Sequence, residues 1–164
     1  MFVNKIPMLT AINKSIKFRS LVLIRGRESA HFYEALYHTF RCYNSAGFKI
    51  TMINCDNEFK PVMDDVKDEL ETDMNPYNPG DHCPEAERNN RTIQERIRVG
   101  YYRLPYNWLP RVLVKQLALV SVDMLNVFPV KGGVSSYYSP NMIMKGKGLD
   151  YKKHCQIPFG PMFK

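Results

Sequence analysis

Between Ser29 and Gly47 four apolar residues, Phe32, Leu36, Phe40 and Tyr43, recur at spacings of 4, 4 and 3. That spacing is one face of an α-helix, with Ser29 placed to cap its start and Gly47 to end it. The flanking stretches lack the helical period. Residues 6–12 (IPMLTAI) and 16–24 (IKFRSLVLI) read as two strands joined at Asn13-Lys14-Ser15, the second partly alternating, with Lys17 and Arg19 between apolar neighbours. Phe2-Val3 reads as the tail of an earlier strand, and Phe48–Ile53 as a further strand delivering Asp56 at its C-terminal end. A chain that runs from strands to an amphipathic helix and back to a strand is of the α/β class, here with an antiparallel hairpin start.

Downstream, Val62, Val66 and Leu70 at spacing four predict a short acidic helix over Lys60–Glu71. Three prolines and a glycine in residues 75–84 (NPYNPGDHCP) predict a loop. A helix is expected from Pro84, which suits a first turn, to Arg103, with Pro105 beyond it. Leu109–Val127 is the most apolar helix and is expected to be buried. After Pro129 the texture becomes rich in glycine and proline, which suggests an extended arm and not a core element. The expected organisation is a core domain over 1–128 and a C-terminal extension over 129–164.

No run approaches ~18 uninterrupted apolar residues, the length a membrane helix needs. The best stretch, Val112–Val122, is broken by Lys115, Gln116 and Ser121. No basic segment followed by an apolar core begins the chain, so no signal peptide is expected. The four cysteines form no CxxC pair and make no zinc spacing with the four histidines. Reduced thiols in the nucleus or cytoplasm follow from that usage.

The net charge of +7 is unevenly placed. Residues 1–55 hold eight Lys/Arg and two acids, residues 56–95 twelve acids and four bases, and residues 96–164 eleven bases and two acids. Basic flanks around an acidic middle suit a polyanion ligand with a cation-binding centre, although one solvated acidic helix in a basic protein has the same signature.

Phosphoryl transfer on DNA asks a protein mainly to hold two divalent cations, ~4 Å apart, against the attacking and leaving oxygens. Mg²⁺ prefers carboxylate oxygen and keeps several waters. Asp56 at a strand end and Glu87 in a helix's first turn are suited to supply two such ligands. The plainer alternatives are a strand-end turn residue and a first-turn Glu paired with Arg91 at i+4. Arg88, Arg91, Arg96 and Arg98 share a helix, and the first two are the candidates for phosphate contact.

Two segments carry a more specific signal. CDNEF (55–59) resembles the second-Asp motif of retroviral and retrotransposon integrases, and AERNNRTI (86–93) resembles the segment holding the metal-binding Glu in copia-like retrotransposon integrases. LPYNWLP (104–110), YYSPNMIM (137–144) and IPFG (157–160) resemble the region that follows that core, so the likeness spans nearly the whole chain.

The resemblance implies a ribonuclease-H-like mixed sheet with flanking helices, an incomplete first strand and an extended C-terminal arm. It implies Mg²⁺ or Mn²⁺ as cofactor, held by Asp56 and Glu87 as catalytic residues. It further implies DNA as partner, contacted by Arg88, Asn90 and Arg91; a homodimer is a further candidate, and no membrane association is expected from the hydropathy. Asn89 falls at the motif's variable position.

Three departures accompany it. Only 30 residues separate Asp56 from Glu87, fewer than the family commonly has. Gly80-Asp81-His82-Cys83-Pro84 replaces the family's turn before the Glu. No Asp precedes Asp56, whereas the family has one on the first strand; by the resemblance it would fall just upstream of Met1. Without it the metal clamp is incomplete, so the isolated chain is expected to be inactive or nearly so. A non-catalytic nucleic-acid-binding or dimerisation module is the alternative.

Overall fold

The structure, a computed structural model, describes residues 1–26, 28–77, 83–148 and 150. Its elements are β1 (Phe2–Val3), β2 (Ile6–Ile12), β3 (Arg19–Leu23), α1 (Ser29–Ser45), β4 (Met52–Cys55), a 3-10 helix (Asn57–Val62), α2 (Met63–Leu70), β5 (Asp73–Pro76), α3 (Pro84–Tyr102), α4 (Arg111–Leu125) and α5 (Pro140–Lys145). The fold is mixed α/β. The described strands form two small sheets, one ordered β1-β2-β3 and one β4-β5. The chain divides into two compact units, Met1–Thr10 with Ser20–Arg88, and Ala11–Arg19 with Asn89–Lys164.

Chain reversal at the start is set by backbone conformation. β1 pairs antiparallel with β2, Val3 opposite Ile6. The two residues between, Asn4 and Lys5, both have positive φ (47° and 61°), the requirement of a two-residue hairpin turn that follows the strands' twist. β2 has the expected bounds. β3 begins three residues later than expected, at Arg19. The Asn13 side chain explains this, because its Oδ1 accepts from the Ser15 and Ile16 amides at 2.9 and 2.8 Å and holds them in a turn. Lys17 then takes φ 60°, and the Asn13 amide donates to the Phe18 carbonyl at 3.0 Å.

α1 is capped one residue earlier than expected. Glu28 occupies the capping position with extended dihedrals (φ −73°, ψ 149°), its carbonyl accepts from the His31 and Phe32 amides, and Ser29 is already helical. Leu36, Phe40 and Tyr43 are buried along the expected face, and Gly47 takes the left-handed φ of +79° that a Cβ would strain. β4 starts at Met52 and not Phe48, whose amide still donates to Tyr43 in α1.

The first unit's core is Leu9, Ala35, Leu36, Val62 and Val66, with Phe32, Ile53, Phe59 and Met74 packed against it. The predicted single helix over 60–71 is two pieces, a 3-10 segment and α2, and both present a valine inward: Val62 is 1% exposed and Val66 0%. Asn75 and Pro76, expected in the loop, belong to β5. Proline tolerates that position because it closes the strand. Residues 78–82 of that loop lie outside the described residues.

In the second unit α3 buries Asn89, Ile93 and Ile97 at spacing four. A Cβ on Gly100 would meet Leu117 Cδ1 at 2.8 Å, so α3 and α4 approach closely there. α4 is buried along one side only, through Val114, Leu117, Ala118, Ser121 and Val122, while Val112 and Met124 stand exposed. The arm expected after Pro129 contains α5, with Pro140 and Met144 buried, so residues 139–146 are packed structure. Ser139 caps α5 by accepting from the Met142 amide at 3.2 Å, and Gly146 ends it at φ 65°. IPFG (157–160) lies outside the described residues.

Asn126, 2% exposed, binds this unit together. Its Oδ1 accepts from the Arg19 amide at 2.8 Å and its Nδ2 donates to the Arg19 carbonyl at 2.7 Å. Its carbonyl accepts from the Asn141 amide at 2.9 Å. The side-chain amide thus serves as a strand partner for the first residue of β3. Asn126→Ala removes two hydrogen bonds and strands their backbone partners, an expected loss on the order of 2–4 kcal/mol by chemical denaturation. Ile93→Ala, at 0% exposure, is expected to cost about 2–5 kcal/mol in the same measurement.

Candidate functional site

β4 alternates as a half-covered strand does: Met52 and Asn54 are exposed, Ile53 is half-buried and Cys55 is buried. Asp56 is the first residue past it and is exposed, with extended dihedrals (φ −76°, ψ 159°). One carboxylate oxygen accepts from the Asn57 amide at 2.8 Å, which caps the 3-10 helix. The carbonyl of Asp56 accepts from the Phe59 amide at 3.1 Å. Phe59, the last residue of the CDNEF segment, is a packing residue. Its ring meets Phe32 edge-on at 5.2 Å. Glu58 is exposed to solvent.

Glu87 lies exposed in the first turn of α3, its amide bound to the Cys83 carbonyl at 3.0 Å. The positive end of a helix favours a carboxylate there. Arg88 is exposed on the following residue and Asn90 is half-buried. Arg91 pairs with Glu95 at 3.0 Å, one turn further along α3, in an exposed ion pair of the kind that contributes little to stability. Arg96 and Arg98 are exposed.

The two acid-bearing segments are connected through residues the sequence reading had left as loop. β4 and β5 pair in parallel with Cys55 opposite Pro76. The next amide, of Tyr77, donates to the Cys55 carbonyl at 3.0 Å. A side-chain hydrogen bond between Tyr77 and Cys83 raises the tyrosine's pKa, and Glu85 adds to the effect. A path of direct contacts therefore runs from Cys55, beside Asp56, through Tyr77 and Cys83 to the Glu87 amide. Burial, with Asp56 and Cys83 nearby, pushes the Cys55 thiol up to about 11 and keeps it protonated at neutral pH.

These residues supply two solvent-facing carboxylates. Among the described residues no three His, Cys, Asp or Glu side chains converge on one point as a metal cage would require. Asp56 and Glu87 do not amount to a closed metal site among the described residues. Asp81 and His82 lie outside the described residues, as does the His154-Cys155 pair.

Asn89, which sequence reasoning placed at a variable position, is 3% exposed, and its Oδ1 has no hydrogen-bond partner among the described residues. Its place on the Ile93–Ile97 face at i, i+4, i+8 was the available signal. Tyr77 had none, because its partner depends on strand pairing.

No protein-family model and no curated protein sequence matches the chain. Among solved structures, the chain is similar to the catalytic core domain of BIV integrase, with a TM-score of 0.60 and 16% sequence identity over 86% of both chains. The fold is therefore that of an integrase catalytic core.

Asp56→Asn is expected to leave stability nearly unchanged, since asparagine caps a helix as well as aspartate does. Asp56→Ala is expected to lower it by about 0.5–2 kcal/mol, as read by urea titration of both variants.

Proposed function

We propose that this chain is a DNA-integration protein of the copia-like retrotransposon type, built on a ribonuclease-H-like core, with Asp56 and Glu87 as its divalent-cation ligands. One observation supports the reading above the rest. In an integrase-like fold, the carboxylate at the end of β4 and the carboxylate opening α3 are the two acids linked through the Cys55–Tyr77–Cys83 contacts.

Mg²⁺ or Mn²⁺, when bound, supplies charge neutralisation at the phosphate oxygens. The chain's own part is to present Asp56 on a rigid strand end, with one oxygen held by the Asn57 amide, and Glu87 on the favourable end of a helix. Arg88, Asn90 and Arg91 follow on α3 as candidates for the DNA backbone. An exposed arginine is suited to neutralise a phosphate and release its counterion.

The sequence has no Asp before Asp56, and two carboxylates make a weak clamp. Strand transfer by this chain is accordingly absent or nearly so, and DNA binding without catalysis is what it retains. A second copy of the chain is a further candidate partner. The exposed Val112 and Met124 on α4 are apolar side chains that such a contact would cover.

A duplex-DNA mobility shift tests the binding reading. Retardation at 50 mM salt that fades by about a hundredfold or more in affinity at 200 mM is expected, weakened further by Arg88→Ala. Binding that ignores salt, or none at all, would sink it. A strand-transfer assay with Mn²⁺ tests the catalytic reading. The chain is expected to yield no more product than Asp56→Asn, and product above that level would overturn the proposed inactivity.

A further inference from the structure

The corner between α3 and α4 carries rings and cations that take no part in the chemistry above. Tyr102 ends α3 at 82% exposure, and Trp108, in the connection to α4, stands at 75%. The Tyr101 ring meets the Tyr102 ring edge-on, centroids 5.8 Å apart, and the Tyr101 hydroxyl donates to the Asn107 carbonyl at 2.7 Å. Leu109 is buried and anchors the chain on the other side of Trp108. The backbone at Trp108 is therefore held from both sides while its indole stays in water and contributes little burial to the fold. Arg103 and Arg111 follow the two rings along the chain, and both are exposed. Arg111 is the first residue of α4, whose first turn holds no acid and whose start has no side-chain cap. A cation at the positive end of a helix is unfavourable, and a bound anion would relieve it. The second unit holds fifteen Lys and Arg against three acids, and the first eight against thirteen, so the bare rings lie in the basic unit.

We propose that the α3–α4 corner is a binding site for single-stranded DNA, with Tyr102 and Trp108 stacking on unpaired bases and Arg103 and Arg111 meeting the phosphates. A duplex keeps its base faces stacked on one another and offers phosphate outward. A single strand offers phosphate and open base faces together, and exposed rings set among arginines match that combination. Stacking needs no particular base, because every base has a π-face, so the site tolerates sequence. Its residues are distinct from Arg88, Asn90 and Arg91, and it does not rest on the duplex-binding reading or on a divalent cation.

Trp108 is the sole tryptophan of the chain, so its fluorescence reports on this corner directly. The full chain is titrated with an oligothymidylate of about twelve nucleotides, which forms no duplex with itself. Saturable quenching of the indole emission is expected, at oligonucleotide concentrations that rise with added salt. A fluorescein-labelled copy of the oligonucleotide, followed by anisotropy, is expected to bind Trp108→Ala and Tyr102→Ala each about tenfold more weakly, and Trp108→Phe within about threefold, since phenylalanine keeps a stacking face. Both side chains are exposed, so the variants are expected to melt close to the parent, and the quenching titration needs no variant. Five results would overturn the proposal: no quenching, equal quenching by heparin (a polyanion without bases), unchanged affinity in both alanine variants, tighter binding of an oligouridylate, which would assign the corner to RNA, or an emission change that follows protein concentration alone, which would assign it to a second copy of the chain. Duplex retardation that Arg88→Ala weakens, without quenching by the oligothymidylate, would leave the duplex reading and sink this one. Quenching without duplex retardation would do the reverse.

Discussion

The parallel pairing of β4 with β5 is the constraint on which the candidate site depends. Parallel neighbours cannot be joined by a tight turn, so the chain must leave β4, cross over and return alongside it. Here the crossover is the 3-10 helix and α2, and it is held down because Val62 and Val66 are buried against Leu9, Ala35 and Leu36. Asp56 sits where strand becomes crossover, the place where α/β sheets present polar groups to ligands. The return strand then brings Tyr77 to the Cys55 carbonyl, and Tyr77 brings in Cys83 and the start of α3. Thr72, 1% exposed, ties the return by donating to the Ile50 carbonyl at 2.8 Å.

Charge has little part in holding these elements. Lys49–Glu71 and Arg91–Glu95 are exposed pairs whose attraction is largely offset by solvent and side-chain entropy. The core contacts are apolar, and two buried polar side chains act through directed hydrogen bonds, Asn126 on Arg19 and Thr72 on Ile50. Exposed bases such as Arg96 and Arg98 face solvent, where a polyanion can meet them at small cost to the fold. The acids of α2, among them Asp64, Asp65 and Asp68, are a solvated face, which accounts for much of the acidic middle of the chain without a ligand.

Asp56 shows how a local bond and the proposed ligand role can share one side chain. The oxygen that accepts from the Asn57 amide starts the 3-10 helix, and the same bond fixes the carboxylate's rotamer. A ligand so held loses less freedom on meeting a cation than one on a mobile loop.

Much of this was legible in the residues. The apolar face of α1, the bounds of β2, the start of α3 at Pro84 and the placing of Asp56 after a strand follow from periodicity and turn chemistry, which are short-range. The sequence alone determined that 6–12 is extended and that the segments of α1, α3 and α4 are helical, which face of α1 is apolar and where the two carboxylates fall along the chain. Tertiary structure decided the rest. Strand β3 was shortened by the Asn13 turn, and the 3-10 segment was started by Asp56's own cap. Residues 139–146 were drawn into packing beside Asn126, which reaches Arg19 across 107 residues. Tyr77 joined two cysteines that nothing in their spacing related. Periodicity records which side of an element avoids water. It carries no record of which backbone groups, distant in the chain, will need a partner once that water is gone.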